Sequence, residues 1–257
     1  MILDKIIETK KEEVAQLKKE TTQAQLQKII AGLKPCLDFR KALKSGACNI
    51  IAEVKCASPS RGRLIKDFDP VRIADIYERN GASAISVLTD EKYFAGHKNY
   101  LTQIRQKINL PLLRKDFIID PIQIYETRAI GADAILLIVR ALGKKLAEFL
   151  SLSKELGLNP LVEVHDEEEL DLALAVGAEI IGINNRNLDT FITDIETSRR
   201  LKLRIPADKI VVAESGISNR KDIESLMDVG INAFLIGEAL ITAPDIGVKL
   251  RTLKGEN

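Results

Sequence analysis

The chain has 257 residues, 46% of them hydrophobic and 29% charged, with 38 lysines and arginines against 37 acids. That balance excludes a disordered chain and leaves no global field for nucleic acid or an anionic membrane, so any anionic ligand must be held by a local site. No apolar run approaches the roughly 20 residues that cross a bilayer, and the amino end mixes acids and bases where a signal peptide has an apolar core, so a cytoplasmic protein with no membrane partner is expected.

Residues 1–33 read as one amphipathic helix: Ile2, Ile6, Val14 and Leu17, then Leu26, Ile29, Ile30 and Leu33, recur at helical intervals among lysines and acids. Its polar face carries both signs, which suits packing on the main domain better than lying on a membrane. Gly32 and Pro35 end it, and a short helical stretch follows at 38–43. Cys36, Cys48 and Cys56 are odd in number and lack CxxC spacing, which argues for free thiols over a disulfide framework or a structural zinc site. With only His97 and His165 present, a multi-histidine metal centre is excluded; no resident metal or cofactor is expected, although magnesium held by carboxylates and substrate stays open.

The first strand, 49–55, puts Ile51, Glu53 and Lys55 on one face and Ala52 and Val54 on the other. An acid and a base therefore stand together at a strand's carboxyl end, either as a structural ion pair or as part of a site. Further β-rich runs at 84–89, 110–115, 133–139, 160–164, 179–184, 209–215 and 232–237 alternate with helical segments such as 70–80 and 218–229. Eight strand-helix units require a parallel sheet with crossovers. Gly81-Ala82, Gly131-Ala132, Gly177-Ala178 and Gly230-Ile231 recur about every fifty residues, each glycine placed to end a helix before the next strand. The fold class is therefore α/β, a (β/α)8 barrel forming a single domain over 1–257, with a helical extension at 1–48 and the barrel at 49–257. A doubly wound open sheet is the alternative, but no G-x-G-x-x-G follows any strand.

In such a barrel the active site lies at the carboxyl ends of the strands. Those ends carry Glu53 and Lys55, then Arg114 and Lys115, Glu163, Asn184 and Arg186, Glu214 and Ser215, and finally Gly237 and Glu238. Alternation sets Lys115 on the face of Leu113 and Glu163 on that of Leu161, so the odd strands aim lysine and glutamate into one mouth. Ser215-Gly216 and Gly237-Glu238 supply small residues whose N–H groups can approach an anion, provided that the Glu238 side chain turns away. Phe117 and Ile118 can line an apolar wall or pack on the barrel rim. His165 can cap the next helix or move protons, and Asp166-Glu167-Glu168-Glu169 reads as the solvated first turn of that helix.

Glu53-Val54-Lys55 with Ser58-Pro59-Ser60, Leu113-Arg114-Lys115-Asp116-Phe117, Leu161-Val162-Glu163-Val164-His165, Ile183-Asn184-Asn185-Arg186-Asn187-Leu188, Ala213-Glu214-Ser215-Gly216-Ile217 and Leu235-Ile236-Gly237-Glu238-Ala239-Leu240 occur in this order. Together they resemble the indole-3-glycerol-phosphate synthases of tryptophan biosynthesis, over essentially the whole chain including the helical extension. Cys56 departs from the basic residue expected beside Lys55, though alternation turns it away from that lysine. The resemblance implies a single-function carboxy-lyase, monomeric, with association with pathway enzymes open. It would act on the anthranilate-derived 1-(2-carboxyphenylamino)-1-deoxyribulose 5-phosphate, closing the ring with loss of carbon dioxide and water. It also implies that Lys115 is the acid of ring closure and Glu163 the base of dehydration, with Lys55 or Glu53 assisting. Ser58, Asn184, Arg186 and Glu214 would then hold the sugar hydroxyls, phosphate or anthranilate carboxylate. Lysine's reference pKa of about 10.4 makes Lys115 a reluctant acid unless burial or a cation such as Lys55 or Arg114 lowers it. Another sugar-phosphate barrel enzyme, such as a phosphoribosyl isomerase, and a non-catalytic phosphate-binding barrel remain as alternatives.

Overall fold

Runs of isoleucine, valine, leucine and alanine, buried on both faces, form the strands β1 (Asn49–Val54), β2 (Ala84–Leu88), β3 (Leu112–Lys115), β4 (Ala134–Ile138), β5 (Asn159–Val164), β6 (Ile180–Asn184), β7 (Ile210–Glu214) and β8 (Ala233–Ile236). A computed structural model describes residues 2–187 and 190–256, so Leu188 of the sixth-strand motif lies outside the described residues. Each strand pairs in parallel with the next, and β8 returns to β1 to close the barrel. The third strand starts at Leu112 rather than 110, because Pro111 has no N–H to enter the ladder. The echoed glycines Gly81, Gly131, Gly177 and Gly230 have φ of +80°, +92°, +76° and +83°, the left-handed turn that ends each helix before its strand.

Alternation separates two cores. Ile51, Leu113, Leu136, Leu161 and Val212 fill the barrel, whereas Ile50, Ala52, Val54, Ile85, Val162 and Ile181 face the surrounding helices. The residues predicted to share a face with Glu53, Lys115 and Glu163 do so.

The amino-terminal extension departs from the single predicted helix. It forms α1 (Ile2–Glu20) and α2 (Gln23–Ala31), broken where the Thr22 hydroxyl accepts the Gln25 N–H and the Gln25 side chain accepts the Thr22 N–H. The hydrophobic period runs through this break, while the reciprocal cap at a Thr-x-x-Gln step carries the stop signal. The short α3 (Phe39–Ala42) sends Phe39, with Leu43 just beyond it, into the core inside the barrel. Val14 and Leu17 of α1 and Leu26 of α2 pack on Ile122 and Tyr125 of α4 (Pro121–Ala129), the helix after β3. Among the described residues no helix is long and apolar enough to cross a membrane.

Candidate active site

The carboxyl end of the barrel opens into a cavity of about 640 Å³. Every predicted site residue lines it: Glu53, Lys55, Ser58, Lys115, Phe117, Glu163, Asn184, Arg186, Glu214, Ser215, Gly216, Gly237 and Glu238. On β1, Lys55 Nζ lies 3.0 Å from Glu53 Oε1 and 5.6 Å from the centre of the Phe94 ring. At the end of β3, Lys115 Nζ lies 3.2 Å from Glu163 Oε2 and 3.4 Å from Glu214 Oε2. Two lysines and three carboxylates from β1, β3, β5 and β7 thus converge on one point.

Room for that cluster comes from two glycines. A β-carbon at Gly182 would sit 2.2 Å from Glu214 Oε1, and one at Gly237 would sit 2.2 Å from Glu53 Oε1. Since no side chain tolerates such an approach, both positions serve as sockets for carboxylates on neighbouring strands. The role of Gly182 is invisible in a strand of apolar residues, where glycine alone signals only a close approach of some kind.

Burial alone would lower the Lys115 pKa, but Glu163, Glu214 and Glu53 outweigh it and hold that pKa above the ordinary lysine value. Arg114 does not oppose them as expected, because it faces the other way. It is buried outside the barrel, with Nη1 2.9 Å from Glu126, Nη2 3.2 Å from Asp116 and Nε donating to Thr89. The two glutamates beside Lys115 diverge. Burial would raise Glu163, yet Lys115, His165 and a hydrogen bond from Asn184 hold it below the usual carboxylate range. Burial, together with the negative charges of Glu163 and Glu53, pushes Glu214 up to about 8 against the pull of Lys115. The surroundings of Lys115 therefore push its two neighbouring carboxyls in opposite directions.

The other wall is a polar rim. Ser58 Oγ is buried and has no hydrogen-bond partner among the described residues. Arg186 Nη1 donates to Ser60 at 3.0 Å, and Asn184 Oδ1 accepts the Arg186 N–H. The Glu238 carboxylate pairs with Arg61, 2.5 Å away, and lies 3.7 Å from Arg186. At the turn after β7, Ser215 (φ +66°) and Gly216 (φ +77°) are both left-handed. Asn185 ties this turn down, its Nδ2 donating to the Ser215 carbonyl and its Oδ1 accepting from Ser198, a strap that no motif signalled. The roof comes from α1, where Leu3 and Ile6 line the cavity, and from Phe94, whose ring stands 6.2 Å from that of Phe117. Ile118 instead joins the core beneath the helices.

Two expectations are corrected beside β5. His165 does not cap α5 (Glu167–Ala175); Asp166 does, accepting the Glu169 N–H. Glu169 is not on a solvated face, since it is buried against His165 and Arg140.

A family model described as indole-3-glycerol phosphate synthase matches residues 3–253 of the chain. A protein of that name from Alkaliphilus metalliredigens is 50% identical over 256 residues, covering 99% of this chain and 98% of its own. Another from Desulforamulus reducens is 48% identical over 256 residues, with 98% and 97% coverage. Among solved structures, the N-acetylmannosamine-6-phosphate 2-epimerase of Clostridium perfringens superposes with a TM-score of 0.60 at 19% identity, over 76% of this chain and 88% of that one. KGPDC from Streptococcus mutans superposes with a TM-score of 0.63 at 12% identity, over 82% and 97%. At those identities the likeness is one of fold.

Proposed function

The chain belongs to the indole-3-glycerol phosphate synthase family, a decarboxylating lyase of tryptophan biosynthesis, and we propose from its geometry how the residues at the mouth divide that reaction. The substrate, 1-(2-carboxyphenylamino)-1-deoxyribulose 5-phosphate, must lose carbon dioxide and water as an aromatic carbon joins the ribulose carbonyl carbon. Lys115 is the acid of ring closure. Its ammonium, kept charged by Glu163 and Glu53, stays a reluctant acid, so it yields its proton only as the carbonyl oxygen gains negative charge. Loss of carbon dioxide then restores the aromatic ring.

Dehydration needs a proton removed and a hydroxyl expelled. Glu163, held ionised, takes the proton. Glu214 carries a proton near neutral pH and can give it to the leaving hydroxyl, a more active part than the binding role the motif suggested. Lys55 and Glu53 form the facing pair that orients the sugar and carboxylate. The phosphate belongs at the turns of Ser215-Gly216 and Gly237-Glu238, within reach of Arg186. Phe94, Phe117, Leu3 and Ile6 suit the aromatic ring. A monomer is the proposed working unit, which light scattering tests.

The observation that carries this reading is Lys115 lying between Glu163 and Glu214, 3.2 Å from one and 3.4 Å from the other. A phosphoribosyl isomerase would need an Asp or Cys acid-base pair, whereas Asp116 is committed to Lys10 and Arg114. The test is fluorescence detection of indole-3-glycerol phosphate from the anthranilate-derived substrate, with wild type and Lys115→Ala compared. Turnover by the wild type, and a loss in kcat with little change in substrate binding for the variant, is expected. Full turnover by Lys115→Ala would overturn the assignment.

A further inference from the structure

His165 follows Glu163 by two residues, and the imidazole is almost fully buried, with its side chain 5% exposed. Its Nδ1 is 2.9 Å from Glu169 Oε2, the oxygen that also accepts the His165 backbone N–H at 2.8 Å. The other ring nitrogen, Nε2, points at Glu163 Oε1 from 3.4 Å and makes no hydrogen bond to any other group among the described residues. Behind Glu169 stands Arg140, whose Nε is 2.7 Å from Glu169 Oε1 and whose Nη2 is 3.2 Å from Asp166. A line of alternating acidic and basic groups therefore runs from Lys115 through Glu163, His165 and Glu169 to the partly exposed Arg140.

Glu163 has a different basic group on each carboxylate oxygen. Lys115 holds Oε2, and the ring of His165 faces Oε1. If Lys115 is the acid of ring closure, as proposed above, it gives its proton to the substrate and becomes neutral. At that moment Glu163 loses its nearest positive partner, just before it must act as a base, and its carboxylate would become easier to protonate by a stray proton. We propose that His165 is the positioning residue of the base, a positively charged ring that keeps Glu163 ionised and aimed into the mouth after Lys115 has spent its proton. Glu169 fixes the ring orientation and stabilises its charge. The remaining groups facing this pair are Asn184 from β6, Glu214 from β7, and Arg140 and Asp166 behind Glu169. Burial alone would make the ring lose its proton more readily, but the hydrogen bond to Glu169 and the charges of Glu163 and Glu169 outweigh that and the repulsion of Arg140, so its pKa is raised.

Because the chain has only two histidines, the idea can be tested without activity. NMR titration of the imidazole carbons, with His97→Gln to assign the signals, should give His165 a pKa above the ordinary histidine value. In Glu163→Gln that pKa should fall. Unchanged titration of His165 in Glu163→Gln would overturn the coupling, whether or not the chain turns over the anthranilate-derived substrate. In single-turnover kinetics, His165→Gln should leave the ring-closure rate within about twofold and slow dehydration at least tenfold. The acid limb of dehydration should also move up by about one pH unit, the size expected for losing one nearby cation. Equal slowing of both steps with the acid limb unmoved would mean that the ring is only packing, and the proposal fails.

Discussion

Glu163 and Glu214 are chemically the same carboxyl, sit on the same rim and both touch Lys115, yet their surroundings assign them opposite proton occupancy. Substitution by glutamine should tell them apart, because glutamine can neither accept a proton as Glu163 must nor give one as Glu214 does. Each variant should lose the 10²–10⁴-fold typical of a missing general acid or base, with Glu163→Gln removing the acid limb of the kcat–pH profile and Glu214→Gln the alkaline limb. Loss of the same limb in both variants would refute the division. Gly182 provides a second residue-scale prediction. A methyl group there collides with Glu214 Oε1 and approaches Leu161 Cδ1 to 3.2 Å, so Gly182→Ala should push the carboxyl off Lys115. A displacement of about 1 Å can cost about 10²-fold, and kcat/KM should fall by that order, with partial recovery when Glu214→Asp shortens the displaced side chain. The residues that face the mouth were legible in the sequence, because period-two alternation decides which strand-end residues point inward. Arg114 shows the limit: the same alternation turns it outward, away from Lys115, and its partners Glu126 and Thr127 arrive from a helix whose packing no local pattern encodes.

Among the elements, α1 is bound to the barrel by a buried charge as well as by its apolar face. Lys10 is buried, and its Nζ lies 2.8 Å from both Asp90 and Asp116. Asp116 follows Lys115 directly and also takes Arg114 and Thr89, so the helix over the mouth and the end of β3 share a single ionic network. Lys10→Met leaves two buried carboxylates without their ammonium, which costs about 3–5 kcal/mol. Urea denaturation should register that loss, and KM should rise because Leu3 and Ile6 no longer close the cavity. The pH dependence has a definite sign. Burial would raise Asp116 and Glu126, but Lys10 and Arg114 at the first, and Arg114 and Lys98 at the second, hold both below their ordinary values. Their contribution is thus complete above the ordinary carboxylate range and disappears only as pH falls through the depressed pKa values. Hydrogen exchange of α1 amides should therefore remain slow at pH 5 and accelerate only in stronger acid. The helix was legible from its apolar period; its tie was not, since a lysine among lysines on a polar face carries no sign of burial.

At the scale of the whole molecule the two ends of the barrel differ. Phe39 closes the amino end of the barrel with no exposed surface, and the carboxyl end carries the charged mouth. Phe39→Ala should cost about 3–5 kcal/mol through the cavity it leaves, yet leave kcat and KM of the folded fraction unchanged. A calorimetric scan and steady-state assays on the same preparation check both halves of that statement. Barrel closure was readable because the count of strand-helix units and the fifty-residue glycine echo agree with each other. The interruption at Thr22 was not, because one reciprocal cap overrides an apolar period that continues on both sides of it.

The roof over the mouth precedes in the chain every strand that it covers. A ribosome makes Lys10 well before Asp90 and Asp116, so α1 must wait through translation for the carboxylates that bury it. The mouth is then completed backwards, by an early segment docking on strands made after it. A peptide fused ahead of Ile2 would emerge beside Leu3 and Ile6 at the cavity rim, where it competes with the incoming aromatic ring. An affinity tag belongs instead after the helix α6 (Ile246–Lys254).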